Sequence, residues 1–244
     1  MEKIKAKKEF GQNFLKDSSI LDKIIQSMPH NNNHIVEIGP GLGDLTKNLV
    51  KYKDVTAYEV DTDLIGILKS KFASEIESKK FTLKHIDVLR AWDELKFLHD
   101  GKYDLIANLP YYIATNIILR AFEDELCEHI IVMVQKEVAQ KFTAKVNDKE
   151  YSSLGIMTEL ISKESKILFD VPPTAFDPMP KVTSSVLYIK KDLSKKIDKD
   201  LNKFLKAWFV QPRKKLSKNL GSLLEKSKIL ALYEELDLND NLRP

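Results

Sequence analysis

Directly after the apolar run Ile35-Val36-Glu37-Ile38 comes Gly39-Pro40-Gly41-Leu42-Gly43-Asp44-Leu45-Thr46, a glycine-rich turn that opens a helical pattern. Glycines there, Gly39 and Gly41 above all, let the backbone approach a ligand closely. The spacing is G-x-G-x-G and departs from the dinucleotide fingerprint G-x-G-x-x-G, which argues against a nicotinamide or a flavin. No P-loop lysine accompanies it, which argues against ATP. Glu59 closes the next apolar run twenty residues beyond Gly39, where an acid can accept hydrogen bonds from both ribose hydroxyls. Asp87 ends the third run, where an acid can accept from an adenine amino group. Any one of these acids is as readily a turn cap. Aligned at the carboxyl ends of three consecutive strands, the three features point to a nucleoside-bearing cofactor.

The fourth run ends in Ala107-Asn108-Leu109-Pro110-Tyr111-Tyr112, which resembles the N-P-P-Y-type motif of amino-methyltransferases. An exocyclic adenine nitrogen is a poor nucleophile because its lone pair is delocalised into the ring. Two acceptors, the Asn108 side-chain oxygen and the Leu109 carbonyl, could bind the amino hydrogens and pull that nitrogen toward tetrahedral geometry. Pro110 would fix the carbonyl, and Tyr111 would stack on an extruded base with its π face toward developing positive charge. Read without the other motifs, the same residues make an ordinary strand-ending turn.

Elements of two kinds must position these residues. Short apolar runs at Ile35–Ile38, Val55–Tyr58, Phe81–Ile86, Tyr103–Ala107, Ile130–Val134, Lys166–Phe169 and Ser185–Ile189 alternate with helical patterns around Leu45–Val50, Leu64–Phe72, Thr115–Phe122, Lys136–Phe142 and Leu154–Ser162. Asp63 is the expected N-cap of the second helix. Seven strands in a mostly parallel α/β sheet are predicted, the last two antiparallel because the proline-rich segment Val171–Lys181 is too short for a crossover helix. After Lys190 the strand pattern stops, and Leu201, Phe204, Leu205, Trp208 and Phe209, then Leu216, Leu220, Leu223 and Leu224, recur at helical spacing. A domain over residues 1–190 and a small helical domain over residues 191–244 follow.

A single cysteine, Cys127, excludes an internal disulfide and suits a reducing compartment. The N-terminus lacks the apolar run of a signal peptide, and no stretch long enough for a membrane span occurs, so a cytoplasmic location without membrane association is expected. Net charge is only +3, but Lys3, Lys5, Lys7 and Lys8 crowd the start, and residues 191–218 hold ten Lys or Arg against three Asp. Such runs are either solvated faces or contacts to a polyanion. His30, His34, His85, His99 and His129 are scattered without ligand spacing, so no metal is expected. Trp92 and Trp208 read as packing residues.

In order and spacing, Lys8-Glu9-Phe10-Gly11-Gln12-Asn13-Phe14-Leu15, the Gly39 turn, Asn108 to Tyr111, Gln135-Lys136-Glu137-Val138 and Phe176-Asp177-Pro178-Met179-Pro180-Lys181-Val182 resemble the ribosomal RNA adenine dimethyltransferases. Glu37 to Gly41 followed by Leu45-Thr46 is similar to the small-subunit branch (KsgA type). The resemblance implies a Rossmann-like class I S-adenosylmethionine methyltransferase with a seven-stranded sheet and a small α-helical C-terminal domain. It implies S-adenosylmethionine as cofactor, held by Asn13, Leu15, Gly39, Gly41, Glu59, Asp87 and Asn108, and catalysis by Asn108, Leu109, Pro110 and Tyr111. Phe176 would be a second aromatic slab over the target base, or else an apolar plug under the proline loop.

The same resemblance implies two adjacent adenosines in a 3′-terminal hairpin of 16S rRNA as substrate, the immature 30S subunit as partner, and a monomeric protein. One departure stands in the helical module, where Phe209-Val210-Gln211-Pro212-Arg213-Lys214-Lys215 carries a proline and the family usually shows Phe followed by Gln-Arg-Arg-Lys. Two other functions fit parts of the pattern. One is methylation of 23S rRNA with macrolide resistance as its output; the other is a ribosome-assembly factor acting by occupancy.

Overall fold

Hydrophobic period decides the architecture. In the central strands both parities are apolar, so Val36, Leu105, Ile130 and Val132 pack on one face of the sheet while Ile35, Ile106, Ile131 and Met133 pack on the other. A strand buried on both faces needs a helical layer on each side. The computed structural model, which describes residues 6–7 and 10–244, has that three-layer form.

Its elements, in order, are β1 (Phe14–Leu15), α1 (Ser18–Gln26), β2 (His34–Ile38), α2 (Thr46–Leu49), β3 (Val55–Glu59), α3 (Thr62–Lys71), α4 (Ala73–Glu77), β4 (Phe81–His85), α5 (Val88–Leu95), β5 (Tyr103–Asn108), α6 (Ala114–Glu123), β6 (Cys127–Gln135), α7 (Lys136–Thr143), α8 (Ser153–Ile161), β7 (Ser162–Val171), β8 (Phe176–Asp177), β9 (Ser184–Lys191), α9 (Lys199–Trp208), α10 (Leu216–Leu220) and α11 (Lys226–Glu235). The main sheet has seven strands in the order β4-β3-β2-β5-β6-β9-β7. Strands β4, β3, β2, β5 and β6 run parallel, and β9 inserts antiparallel between β6 and β7. Chain order reverses direction between β2 and β5, and such a switch point opens a crevice at the carboxyl ends of the two strands. The glycine turn leaves β2 there, and Asn108 ends β5 there.

Two expectations need correction. The described residues form nine strands, because β1 and β8 make a separate antiparallel pair in which Phe14 faces Asp177 and Leu15 faces Phe176. Two-residue strands have no periodicity to detect. The N-cap of α3 is Asp61, whose side chain accepts from the Asp63 backbone N–H at 3.0 Å; Asp63 lies in the first turn. Helix α1 lies outside the predicted helices; Ile20, Leu21 and Ile24 give it a buried stripe and Asp17 caps it.

Beyond β9, helices α9 to α11 enclose a small cluster of their own: Leu216, Leu220, Ile229 and Tyr233, with Phe204 and Trp208 against it. Lys191, counted in the basic run, is instead buried at the end of β9, where its ammonium donates to the carbonyls of Ala121 at 2.7 Å and Asp124 at 2.6 Å. Trp92 is buried and donates its indole N–H to Asp124 at 2.8 Å. No helix among the described residues is long and apolar enough to cross a membrane.

Candidate active site

A cleft enclosing about 990 Å³, open mouth included, lies over the carboxyl ends of β2, β3 and β5. Its walls take in Phe10 to Leu15 of the N-terminal arm, the Gly39 turn, Glu59, Asp87 and Asn108 to Tyr112. Every predicted cofactor residue is among them: Asn13, Leu15, Gly39, Gly41, Glu59, Asp87 and Asn108. Lys8 and Glu9 of the arm motif, and Lys3 and Lys5, lie outside the described residues.

The glycine turn requires glycine most tightly at Gly43, where φ is +76° and a Cβ would stand 2.5 Å from the Phe72 ring, and on the arm side at Gly41. Its φ is +58°, in the left-handed region, and a Cβ there would stand 3.0 Å from the Phe14 ring. The arm is thus laid directly on the turn, and any side chain would push it away. Below the turn Glu37 is 1% exposed and accepts a hydrogen bond from the Thr46 hydroxyl at 2.6 Å. Burial pushes its carboxyl up to about 8, opposed in part by that hydroxyl. Glu59 is similarly buried and raised, held back by backbone donors. Its Oε1 accepts from the N–H groups of Val60 at 2.9 Å and Asp61 at 3.0 Å, while Oε2 has only a long contact of 3.4 Å from Gly41. One oxygen fixes the carboxylate and the other is available to hydroxyl donors.

Asp87 stands two residues beyond the end of β4 and serves as a cap as well. Its Oδ1 accepts from the N–H groups of Leu89 at 2.8 Å and Arg90 at 3.2 Å, opening α5, and Oδ2 has no partner among the described residues. The acceptor oxygens left on Glu59 at the floor and on Asp87 at the far rim fit S-adenosylmethionine, which offers two ribose hydroxyls and an adenine amino group as donors.

At the turn after β5 the Asn108 amide donates through Nδ2 to the Asn13 carbonyl at 3.0 Å. That pairing fixes which end of the amide is which, leaving Oδ1 as a free acceptor among the described residues. Leu109 is buried and its N–H donates to the Met133 carbonyl at 3.1 Å; its own carbonyl has no partner among the described residues. Pro110 then accepts from the Ile113 N–H at 3.2 Å, which closes the turn. Tyr111 is half-buried, and its hydroxyl shares a hydrogen at 2.6 Å with Ser184 at the start of β9, which holds the ring; burial raises the phenol.

Phe176 is placed differently from the expectation of a second slab. It is 5% exposed, packs with Phe14, Leu15 and Val171, and does not line the cleft, because β8 pairs with β1 and turns the ring into the core. It is the plug under the proline loop. Residues that sequence reasoning missed are Glu37 as a cleft carboxylate, Ser184, Tyr112, which stands 61% exposed at the mouth, and Asp61. Asp61 had a detectable signal in Asp61-Thr62-Asp63, where the earlier acid is the better N-cap.

The sheet order, the switch-point cleft and its acids define a Rossmann-like class I methyltransferase that uses S-adenosylmethionine. The model of the family described as ribosomal RNA adenine dimethylase matches residues 3–243, and the chain belongs to that family. It is 81% identical to the ribosomal RNA small subunit methyltransferase A of Aliarcobacter butzleri over 100% of this chain and 92% of the relative. Among solved structures it resembles a dimethyladenosine transferase from Plasmodium falciparum, with TM-score 0.77 and 24% identity over 94% of this chain and 90% of that one. It also resembles the 23S rRNA methyltransferase ErmE, with TM-score 0.70 and 22% identity over 94% and 92%. At these identities the structural likeness is one of fold.

Proposed function

We propose that this chain is an S-adenosylmethionine-dependent adenine N6-dimethyltransferase of small-subunit ribosomal RNA. Its substrate on this reading is the pair of adjacent adenosines in the 3′-terminal hairpin of 16S rRNA, presented by the immature 30S subunit in the cytoplasm to a monomeric enzyme. The cofactor supplies an electrophilic methyl group on a sulfonium. Glu59 and Asp87 hold it by hydrogen bonds, with Glu37 beneath the glycine turn; Gly39 and Gly41 admit it, and Asn13 and Leu15 cover it. Asn108 Oδ1 and the Leu109 carbonyl accept the hydrogens of the target amino group, which localises the lone pair on N6. Pro110 holds the carbonyl in place, and Tyr111, fixed by Ser184, stacks on the extruded base. Phe176 can serve as a second slab only once the proline loop uncovers it. The basic surface of residues 191–244, as a separate small domain, tracks the RNA backbone.

The observation that carries this reading is the Asn108–Asn13 bond, because it turns an acceptor toward the cleft where an ordinary strand-ending turn would need none. Similarity to a small-subunit enzyme at 81% identity supports the 16S substrate over 23S rRNA. The test is methyl transfer to 30S particles lacking the modification, followed by mass analysis of nucleosides, with 50S particles alongside. Dimethyladenosine in the 30S sample alone is expected. Product from 50S particles would move the substrate to 23S rRNA, and binding to 30S without any product would leave an assembly factor.

A further inference from the structure

Between the ribose acid and the catalytic turn runs an unbroken line of polar contacts, and the N-terminal arm carries it. Asp61, 2% exposed just past β3, donates its N–H to Glu59 Oε1. Its carboxylate receives the Lys7 ammonium at 2.6 Å on Oδ1 and the Gln12 amide at 2.8 Å on Oδ2. Gln12 in turn accepts the Lys7 backbone N–H at 2.8 Å, and Lys7 meets Asp63 at 2.7 Å as well. One residue on, the Asn13 carbonyl takes the Asn108 amide. Gly11, at φ +57°, lies so close to Tyr112 that a Cβ would stand 3.2 Å from the ring. An N-cap needs one carboxylate oxygen; here both are used, and two arm side chains some fifty residues away in sequence converge on them.

We propose that Asp61 is a positioning residue that latches the N-terminal arm across the cofactor cleft through Gln12 and Lys7, and that the latched arm sets the Asn108 amide through Asn13. Closure over the cofactor and orientation of the methyl-acceptor site are then one event. With the arm down, Phe10 to Leu15 form one wall of the cleft, so the cofactor leaves only when the latch opens. With the arm up, the Asn108 amide loses the carbonyl that distinguishes its nitrogen from its oxygen, and the acceptor no longer points consistently at the target amino group. The inference rests on Asn108 being an acceptor for that group.

Arm-side variants of the full chain test it, since replacing Asp61 would also remove the cap of α3. The first readout is the dissociation rate of S-adenosylhomocysteine measured by displacement without RNA; the second is kcat at saturating S-adenosylmethionine. Gln12→Ala removes a hydrogen bond to a buried carboxylate, so dissociation should quicken about tenfold and kcat should fall about tenfold with it. Lys7→Met should quicken dissociation and abolish its salt dependence, and Lys7→Arg should restore both. A merely structural arm would lower the melting temperature and leave the two constants alone. Folded variants with both constants unchanged, or with faster dissociation and an intact kcat, overturn the proposal. Unchanged turnover in Asn108→Ala would instead remove the acceptor reading while leaving the dissociation result standing.

Discussion

Asn108→Ala isolates the step on which the proposed chemistry depends. The substitution removes one of two acceptors. The other stays in place, because the Leu109 backbone is anchored by its N–H to the Met133 carbonyl and is followed by Pro110. A single preorganised hydrogen-bonding group aimed at developing charge contributes roughly 3–4 kcal/mol to the transition state, so kcat should fall about 100- to 1,000-fold. The cofactor loses much less. Alanine also frees the Asn13 carbonyl from a neutral hydrogen bond worth about 1 kcal/mol, or roughly fivefold in Kd. The assay is single-turnover methylation of 30S particles lacking the modification, set beside calorimetric titration of S-adenosylhomocysteine. A kcat within tenfold of the unmodified protein would refute the acceptor role. A Kd raised as steeply as kcat falls would show Asn108 to be a cofactor ligand and nothing more.

Three further outcomes follow from the geometry. Glu37 keeps its proton in the folded apoprotein up to about 8 and releases it in the unfolded chain near 4.5. Its contribution is therefore complete below the lower value and is lost as pH rises through the window between them. Apoprotein stability should decline across pH 5–8 by on the order of 1 kcal/mol per pH unit on account of Glu37, and denaturant titrations of Glu37→Gln should show that decline reduced, the remainder belonging to Glu59, which is raised in the same direction. Gly41→Ala combines a left-handed φ with a Cβ 3.0 Å from Phe14, so it should cost about 1–2 kcal/mol and weaken cofactor binding, both measurable by thermal shift with and without S-adenosylhomocysteine. Asp124 is buried and accepts from Trp92 Nε1 at 2.8 Å, Tyr103 Oη at 2.6 Å and Leu126 N at 3.0 Å. Asp124→Ala should destabilise the protein by about 3–5 kcal/mol in urea unfolding while leaving the per-molecule kcat of the folded fraction unchanged.

What could be read in advance divides along a physical line. The inner strands of the main sheet were legible because each is an apolar run bounded by turn residues, and burial on both faces leaves few other readings for Ile35–Ile38 or Ile130–Val134, whereas the edge strands β4 and β7 are largely polar and show only short apolar stretches. Gly41, Glu59 and Asn108 were legible for a related reason: residues at the carboxyl end of a parallel strand inherit their place from the strand. The arm's engagement with the body was not legible. Nothing local to Gln12 or Lys7 indicates Asp61, since the contact spans about fifty residues and depends on where the β3–α3 turn ends. The placement of Phe176 was illegible for the same reason in reverse. Its motif is specific, but the side chain's direction is set by pairing with Leu15, and a two-residue ladder leaves no mark in hydropathy.

Dimethylation places opposite demands on the two proposed acceptors. The first transfer uses a nitrogen with two hydrogens, one for each oxygen; the second uses a nitrogen with one, so one acceptor must then stand beside a methyl group. The Leu109 carbonyl is part of a backbone fixed on both sides and cannot withdraw. The Asn108 side chain can, at the cost of its single bond to Asn13. On the proposed reading, the carbonyl keeps the remaining hydrogen in the second round and Asn108 yields space to the methyl. After the second round no N–H remains to satisfy either oxygen, so the dimethylated base leaves two unpaired acceptors behind and binds worse than its precursors. Asn108→Ala should accordingly slow the first transfer more than the second, and time courses of monomethyl- and dimethyladenosine would show less accumulation of the monomethylated species than in the unmodified protein. Greater accumulation would mean that Asn108, not the carbonyl, holds the last hydrogen.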